Sequence, residues 1–412
     1  QSDAELHADQ SDGKPWWWSA GRLDRGFEGG DLEDDREVSR AVAARSWRRE
    51  LVMTYANEVG TAWVTNLLLS LREVGIEHTL AVTLRPQHCS ALATSTARLS
   101  CAWSSWQMRG CADANNPTRT LWFVRHHILP RLLATTRGTV NVLLLDGDVT
   151  AQASPYPLLK GDGLRAHNLV YHLDHAARCD AVNIGFAYCQ KCAAGGRASW
   201  VFDETVRREA AVCDGAAAAA VVDNGSFWAE SDGAGITAGP HRRGPNGRPW
   251  TTAKDQKIMS DVLGSSCCGK ESYARHWPAS FTVVDRARFD AKFSMKSCAT
   301  LKGSRQKRDV RWRELLLPAT AAAESVAVAP SGLVDSWHGT GEGELAGWGG
   351  GWLTKPPAIA HMVGAQAAGG KLEVMNALGW WRYEVEEVVA HVRMKAEVAM
   401  ADRAVVGALP PQ

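Results

Sequence analysis

The feature that most constrains this fold is an apolar run that ends directly in two acidic residues. Residues 140–145 read Val-Asn-Val-Leu-Leu-Leu, and Asp146-Gly147-Asp148 follows at once. A short run rich in branched apolar side chains and closed by a turn signal is typical of a buried strand. The pattern therefore predicts a central strand of a sheet, with two carboxylates at its carboxyl end.

Residues 51–83, before this run, predict a β-α-β unit. Because such a unit joins two parallel strands through a right-handed crossover, the fold class is α/β, with a sheet flanked by helices. Open α/β sheets bind ligands at the carboxyl ends of their strands, where the two aspartates are predicted to lie. The predicted strands are 51–55, 79–83, 140–145 and 181–188, and the predicted helices are 63–74, 120–135 and 200–212.

Composition divides the chain into one large domain and several low-complexity parts. Residues 1–46 are rich in Asp, Glu, Gly and Ser and are predicted to form a stem or linker ending in a short helix. Residues 47–405 are predicted to form a single catalytic domain, followed by a tail at 406–412. The Ala- and Gly-rich stretches 213–252 and 318–357 are predicted to be insertions or flaps.

Charge and aromatic content narrow the range of partners. Forty-six basic and forty-five acidic residues leave a formal charge of +1, too small to favour nucleic acid or an anionic membrane. The 18 Trp residues offer flat apolar faces with one N–H donor, which suit sugar rings, although compositional drift explains them equally well.

Ten cysteines are typical of a protein from an oxidising compartment, and we expect disulfides whose pairing the sequence leaves open. The pair Cys189-x-x-Cys192 is compatible with half of a zinc site or with a redox pair, but no second Cys-x-x-Cys follows. Asn224-Gly225-Ser226 fits the acceptor pattern for N-glycosylation. The number of cysteines and the glycosylation pattern both favour a secretory location.

The sequence contains no apolar run of about 18 residues, the length expected of a membrane helix. The chain begins at Gln1 without an initiator Met, so we expect a processed or truncated piece. Membrane contact is then expected only through a segment not present in this chain.

The acidic turn suits a divalent metal ion. Mg²⁺ and Mn²⁺ prefer oxygen ligands, and two carboxylates separated by one residue can reach one ion. Gly147 lets the backbone turn closely beside a ligand. An ordinary surface turn is the alternative, but the buried strand before Asp146 favours the metal site.

The segment from Leu143 to Val149, followed by Pro155-Tyr156, resembles the plant and algal nucleotide-diphospho-sugar transferases. That family includes extensin arabinosyltransferases and pectin xylosyltransferases. The resemblance covers residues from about 50 to about 400. Further matching pieces occur in the family's order: Thr54-Tyr55-Ala56-Asn57, Asn66, Asn183-Ile184-Gly185-Phe186, Asp255-Gln256, and His361 with Gly364 and Lys371.

This resemblance implies a GT-A type fold, a Rossmann-like mixed sheet, and a retaining transfer of sugar from a UDP-sugar donor. It implies that Asp146, Asp148 and His361 hold Mn²⁺, or Mg²⁺, against the diphosphate. Lys371 is expected to contact the diphosphate, and Gly364 is expected to belong to the same donor-binding site.

The resemblance also implies roles for residues at the other strand ends. Tyr55, Ala56 and Asn57 are expected to hold the uracil and ribose, with Tyr55 stacking on the base or simply half-buried at its strand end. Asn183 and Gly185 are expected where the donor sugar or the acceptor approaches, and Asp255 and Gln256 are expected at the reacting face of the sugar. Asp255, Gln256 and Asn183 are the expected catalytic residues.

The family suggests the partners and the location. The donor sugar is expected to be arabinofuranose, galactose or xylose. The acceptor is expected to be a glycoprotein, with hydroxyproline-rich proteins as the first choice, or a cell-wall polysaccharide. Location in the Golgi or secretory lumen is expected, with a type II membrane anchor in the precursor.

Two other classes compete for the same observations. The run from Asp146 to Thr150 also fits the Asp-x-Asp-x-Thr pattern of haloacid-dehalogenase-type phosphatases, with Asp146 as nucleophile and Asp148 as acid/base. Those enzymes carry the pattern near the start of the domain and need a later acidic pair for Mg²⁺. A non-catalytic secreted carbohydrate-binding protein would explain the Trp and Cys content but not the order of the matching pieces.

Overall fold

The structure is a computed structural model that describes residues 13–23, 27–57, 60–95, 100–107, 117–173, 182–213, 255–256, 259, 314–316, 324–329, 333–336, 356–361, 372, 375–376 and 378–382. Its helices are α1 (Asp35–Arg45), α2 (Thr61–Glu73), α3 (Pro86–Ser95), α4 (Pro117–Thr135), α5 (Tyr156–Leu159) and α6 (Arg197–Cys213). Its strands are β1 (Glu28–Asp31), β2 (Glu50–Tyr55), β3 (Thr79–Thr83), β4 (Cys101–Trp103), β5 (Asn141–Leu145), β6 (Val149–Ala151), β7 (Leu169–Leu173), β8 (Val182–Cys189), β9 (Glu314–Leu316), β10 (Ser325–Val328), β11 (Val334–Ser336) and β12 (Ile359–His361).

A mixed sheet of nine strands lies at the centre, in the order β1-β4-β3-β2-β5-β8-β7-β10-β9. From β1 to β5 all neighbours are parallel, whereas β8 runs antiparallel to both β5 and β7. The predicted β2-α2-β3 unit is therefore confirmed, as is the α/β class with a mixed sheet. A second, three-stranded sheet has the order β11-β12-β6.

The central strand β5 is buried on both faces, which explains its nearly continuous apolar sequence. Val142 and Leu144 face a core shared with α1, α4 and α6, while Leu143 and Leu145 face a core shared with α2 and α5. This alternation fixes the register, since a slip of one residue would exchange the two faces. The turn after Leu145 is consequently held at a defined position on the carboxyl edge.

Part of the predicted stem belongs to the fold. β1 is the edge strand of the nine-stranded sheet, and α1 buries Val38 and Val42 in the core. Trp16, only 7% exposed, packs against Tyr156 with ring centroids 5.3 Å apart. The stem prediction for 1–46 is thus wrong over these residues, because apolar side chains spaced within a polar composition suffice to dock the segment. Residues 1–12 lie outside the described part, and the boundaries of the catalytic domain stay a prediction.

The prediction of an insertion at 318–357 also needs correction. β10 pairs in parallel with β7 in the main sheet, and β11 pairs with β12 in the small one. Strands of three or four residues give too little periodicity to be seen among Ala and Gly. The described part of the other predicted insertion, 213–252, is Cys213 alone, the last residue of α6.

Two disulfides confirm the expectation from the cysteine count. Cys89–Cys101 joins α3 to β4, and Cys189–Cys192 closes the turn after β8. The second bond occupies the Cys-x-x-Cys thiols, so the zinc alternative for this pair is wrong. Asn224 lies outside the described residues. Among the helices that the structure describes, none is both long and apolar enough to span a bilayer.

Candidate metal centre at the end of the central strand

Three side chains that could ligate a metal meet at the carboxyl end of β5. Asp146 and Asp148 follow that strand, and His361 ends β12, which pairs with β6 so that His361 lies opposite Val149. His361 Nε2 lies 3.3 Å from Asp148 Oδ1 and 4.0 Å from Asp146 Oδ2. One ligand atom from each of the three residues falls within 4.8 Å of the others.

This donor set fits a hard divalent cation. Two carboxylates and one imidazole that lie this close together would be able to hold one Mn²⁺ or Mg²⁺ ion, whose preferred ligands are oxygen atoms. The Nδ1 atom of His361 is buried and has no hydrogen-bond partner among the described residues. The sequence-predicted ligands Asp146, Asp148 and His361 are therefore brought together by the fold.

Gly185 makes room for the imidazole of His361. A Cβ atom at residue 185 would lie 2.1 Å from Cε1 of His361 and 2.5 Å from its Nδ1, well inside van der Waals contact. Gly147 is similarly confined, since its Cβ would lie 2.7 Å from Cγ2 of Val64. Both glycines are required for close packing around the candidate site rather than for an unusual backbone conformation.

We expect Gly185→Ala to weaken Mn²⁺ binding by at least about tenfold, because the ring of His361 must move away from the two carboxylates. Electron paramagnetic resonance of free Mn²⁺ during a titration measures the affinity. Circular dichroism serves as the check that the fold persists. An unchanged Mn²⁺ affinity in a folded variant would contradict the placement of His361 in the site.

Arg125 on α4 connects the acidic turn to a second carboxylate and was not identified from the sequence. Its Nη1 donates to Asp146 Oδ1, and its Nε donates to Asp255 Oδ2 at 3.0 Å. The ring of His126 lies 3.3 Å from the same Asp255 oxygen. The available signal was the Arg-His-His triplet, residues 125–127, between the apolar runs 121–124 and 128–129.

Burial and pairing shift the pKa values of this group. Burial raises the pKa of Asp255, but the charge of Arg125 and the hydrogen bond from His126 outweigh it and lower the pKa to about 2. Burial lowers the pKa of Arg125, but Asp146 and Asp255 outweigh it, so the pKa is raised. Burial lowers the pKa of His126, and Asp255 only partly opposes this. Asp255 is thus an ionised carboxylate at neutral pH.

Asn183 and Gln256 line the other side of the turn. Asn183 Oδ1 accepts a hydrogen bond from the backbone N–H of Gly185 at 2.8 Å and one from Gln256 Nε2 at 3.5 Å. The N–H of Asp146 donates to the carbonyl of Gly185 at 3.1 Å. The predicted residues Asn183, Gly185, Asp255 and Gln256 therefore gather around the acidic turn.

The three residues predicted for the nucleotide lie at the end of the neighbouring strand β2. Thr54 pairs with Leu145, so Tyr55 lies beside Asp146. The ring of Tyr55 packs in the core and is 7% exposed, and burial raises the pKa of its hydroxyl. Asn57 Oδ1 accepts a hydrogen bond from the backbone N–H of Gly60 at 2.8 Å.

The burial of Tyr55 favours an aromatic side chain that packs at the end of its strand over one that stacks on the base. A role of Tyr55 in nucleotide binding stays a prediction. Ala56 is buried and its N–H donates to the carbonyl of Val82. Gly364 and Lys371, predicted near the diphosphate, lie outside the described residues.

The fold and this site define an α/β protein with a cluster suited to a divalent cation at the carboxyl edge of a mixed sheet. No protein-family model and no curated protein matches the sequence. Solved structures to which it is similar include the galactosyltransferase LgtC with donor and acceptor sugar analogues (TM-score 0.40, 11% identity, covering 83% of this chain and 99% of LgtC).

Two further solved structures to which the chain is similar are also glycosyltransferases. The bifunctional WbbM is 11% identical with a TM-score of 0.38, and the match covers 83% of this chain but only 51% of WbbM. GlyE of Streptococcus pneumoniae is 13% identical with a TM-score of 0.35, and the match covers 85% of this chain and 64% of GlyE.

Proposed function

We propose that this protein is a metal-dependent glycosyltransferase that moves a sugar from a UDP-sugar to a glycoprotein or cell-wall glycan with retention. One observation carries the proposal: Asp146, Asp148 and His361 converge at the carboxyl end of a central strand. This edge is where open α/β sheets bind ligands. A bound Mn²⁺ or Mg²⁺ would neutralise charge on a departing diphosphate.

The chain's own residues prepare this site. Arg125 engages Asp146 through Oδ1, which leaves Oδ2 on the side of His361. The same guanidinium keeps Asp255 ionised close to the acidic turn. A fixed negative charge at this position would favour the positive charge that develops at the anomeric carbon during transfer. We assign Asp255, Gln256 and Asn183 to the side of the site that holds the donor sugar.

The nucleotide is assigned to the end of β2. Tyr55, Ala56 and Asn57 end a strand that is adjacent to β5, so a nucleoside bound there would extend its diphosphate toward Asp146 and Asp148. Gly185, Gly364 and Lys371 complete the proposed donor site by resemblance. Arabinofuranose is the first choice of donor sugar, before galactose and xylose, and location in the Golgi lumen is part of the proposal.

The geometry favours this function over a phosphatase that uses the same residues. A phosphatase of that type needs a later acidic pair for Mg²⁺, whereas the third potential ligand beside Asp146 and Asp148 is His361.

A thermal unfolding assay distinguishes the classes. We expect UDP with Mn²⁺ to raise the unfolding midpoint, since a ligand at about 100 times its Kd stabilises the folded state by about 2.7 kcal/mol. A lectin would respond to neither, and a phosphatase would respond to Mg²⁺ with phosphate. No shift with UDP and Mn²⁺ would refute the proposal. A panel of UDP-sugars assayed for hydrolysis then identifies the donor.

A further inference from the structure

Asn66, on α2, is fully buried and makes two hydrogen bonds to a distant part of the chain. The backbone N–H of Arg382 donates to Asn66 Oδ1 at 2.7 Å, and Asn66 Nδ2 donates to the carbonyl of Trp380 at 3.4 Å. The side-chain amide of Asn66 thus satisfies one backbone N–H and one backbone carbonyl of residues 380–382. We call residues 375–376 and 378–382 the latch segment.

The latch segment reaches α2 through a tight helix end. Gly379 has a φ of 67°, its N–H donates to the carbonyl of Asn376, and the N–H of Trp380 donates to the carbonyl of Met375. These two bonds and the left-handed glycine form a Schellman motif, which terminates a helical turn and reverses the chain. The reversal delivers Trp380 and Arg382 to Asn66.

Arg382 ties the latch segment to two elements at once. Its Nη1 donates to Thr150 Oγ1 at 3.0 Å and to the carbonyl of Trp380 at 2.8 Å. Its Nε pairs with Glu73 at the end of α2, at 2.5 Å. The guanidinium therefore joins α2 to β6, the strand that begins directly after Asp148.

Apolar contacts join the latch segment to β12 of the three-stranded sheet. Met375, Leu378 and Trp380 pack with Ala360, the residue before His361 in β12. Trp63 on α2 and Trp381 pack beside them with ring centroids 5.2 Å apart. The latch segment thus packs against both β6 and β12, the strands adjacent to the candidate ligands.

His361 depends on such support. A metal-binding His usually donates its second ring nitrogen to a carboxylate or carbonyl, which fixes the ring. Nδ1 of His361 has no partner of this kind among the described residues. Among the described residues, the ring is therefore confined by the position of β12 and by the space beside Gly185.

We propose that Asn66 and Arg382 are positioning residues for the metal site: by fastening the latch segment, they hold β6 and β12 so that His361 meets Asp148. This inference rests on the proposed function, because it concerns the same metal site. Neither residue touches the ligand atoms. Their effect is on the separation between His361 and Asp148, which is 3.3 Å in this structure.

The test compares Mn²⁺ affinity in Asn66→Ala and Arg382→Gln with that of the wild-type protein. Electron paramagnetic resonance gives the affinity, and circular dichroism confirms the fold. We expect the Mn²⁺ Kd to rise by about tenfold or more, as for other residues that support metal ligands. Excess Mn²⁺ should then restore kcat toward the wild-type value, because the ligands themselves are intact.

Arg72→Gln is the matched control. Arg72 belongs to α2, but its side chain is 55% exposed and pairs with Glu77 at 2.9 Å, a residue outside the latch segment. It should leave the Mn²⁺ affinity unchanged. If Asn66→Ala fails to fold, Arg382→Gln carries the test, since the Arg382 side chain lies nearer the surface, at 17% exposed.

The outcomes separate the two proposals. Wild-type protein that binds no Mn²⁺ would overturn the proposed function and this inference with it. Wild-type protein that binds Mn²⁺, with folded variants that bind it equally well, would overturn the positioning role alone. A lower unfolding midpoint without a change in Mn²⁺ affinity would likewise assign the latch segment to stability only.

Discussion

Replacing Asp148 with Asn is expected to abolish sugar transfer and Mn²⁺-dependent UDP binding while leaving the fold intact. The amide keeps the shape of the carboxylate but loses the charge that a hard cation requires. If the lost metal stabilisation is about 4 kcal/mol, turnover falls by about 10³-fold. Hydrolysis of the best UDP-sugar measures the first effect, and the shift of the unfolding midpoint by UDP with and without Mn²⁺ measures the second.

Asp162→Asn is a suitable control for this change. It makes the same substitution at a side chain that is 91% exposed and pairs with Arg165 in the next turn. Exposed pairs contribute little, so the control should keep full turnover and its unfolding midpoint. Normal turnover in Asp148→Asn would remove Asp148 from the metal site and leave the transferase proposal without its main support.

The central strands could be predicted from the sequence because each is buried on both faces. Val142 to Leu145 and Leu51 to Tyr55 read as short apolar runs, and the pairing of β2 with β3 followed from one helix between them. The short strands β6, β10 and β12 escaped detection. With three or four residues each, they are defined by their partners rather than by a local pattern.

The candidate site could be predicted only in part, for a related reason. Asp146 and Asp148 could be predicted because they directly follow a strand that is recognisable in the sequence. His361 was assigned through family resemblance alone, since its approach depends on β12 pairing with β6 far away in sequence. Arg125 was missed, because a charged residue in a helix normally indicates a solvated face.

Arg125→Met is expected to reduce the free energy of unfolding at pH 7 by about 3–5 kcal/mol, the usual effect of removing one partner from a buried ion pair. The side chains of Arg125 and Asp255 are 5% and 4% exposed, so the remaining carboxylate could not be hydrated. Urea denaturation measures the loss. Arg165→Met, at a side chain that is 55% exposed and pairs with the exposed Asp162, should cost less than about 1 kcal/mol.

The pH dependence of the free energy of unfolding identifies why Arg125→Met is destabilised. The folded pKa of Asp255, about 2, is below its ordinary 3.8, so the stability it contributes is complete above about pH 4 and is lost as the pH falls through about 2. Without Arg125, burial raises the pKa of Asp255, and protonation at lower pH should stabilise the variant. The difference between wild type and Arg125→Met should therefore shrink from pH 7 toward pH 3. A difference that stays constant would mean that lost packing, not the unpaired charge of Asp255, destabilises the variant.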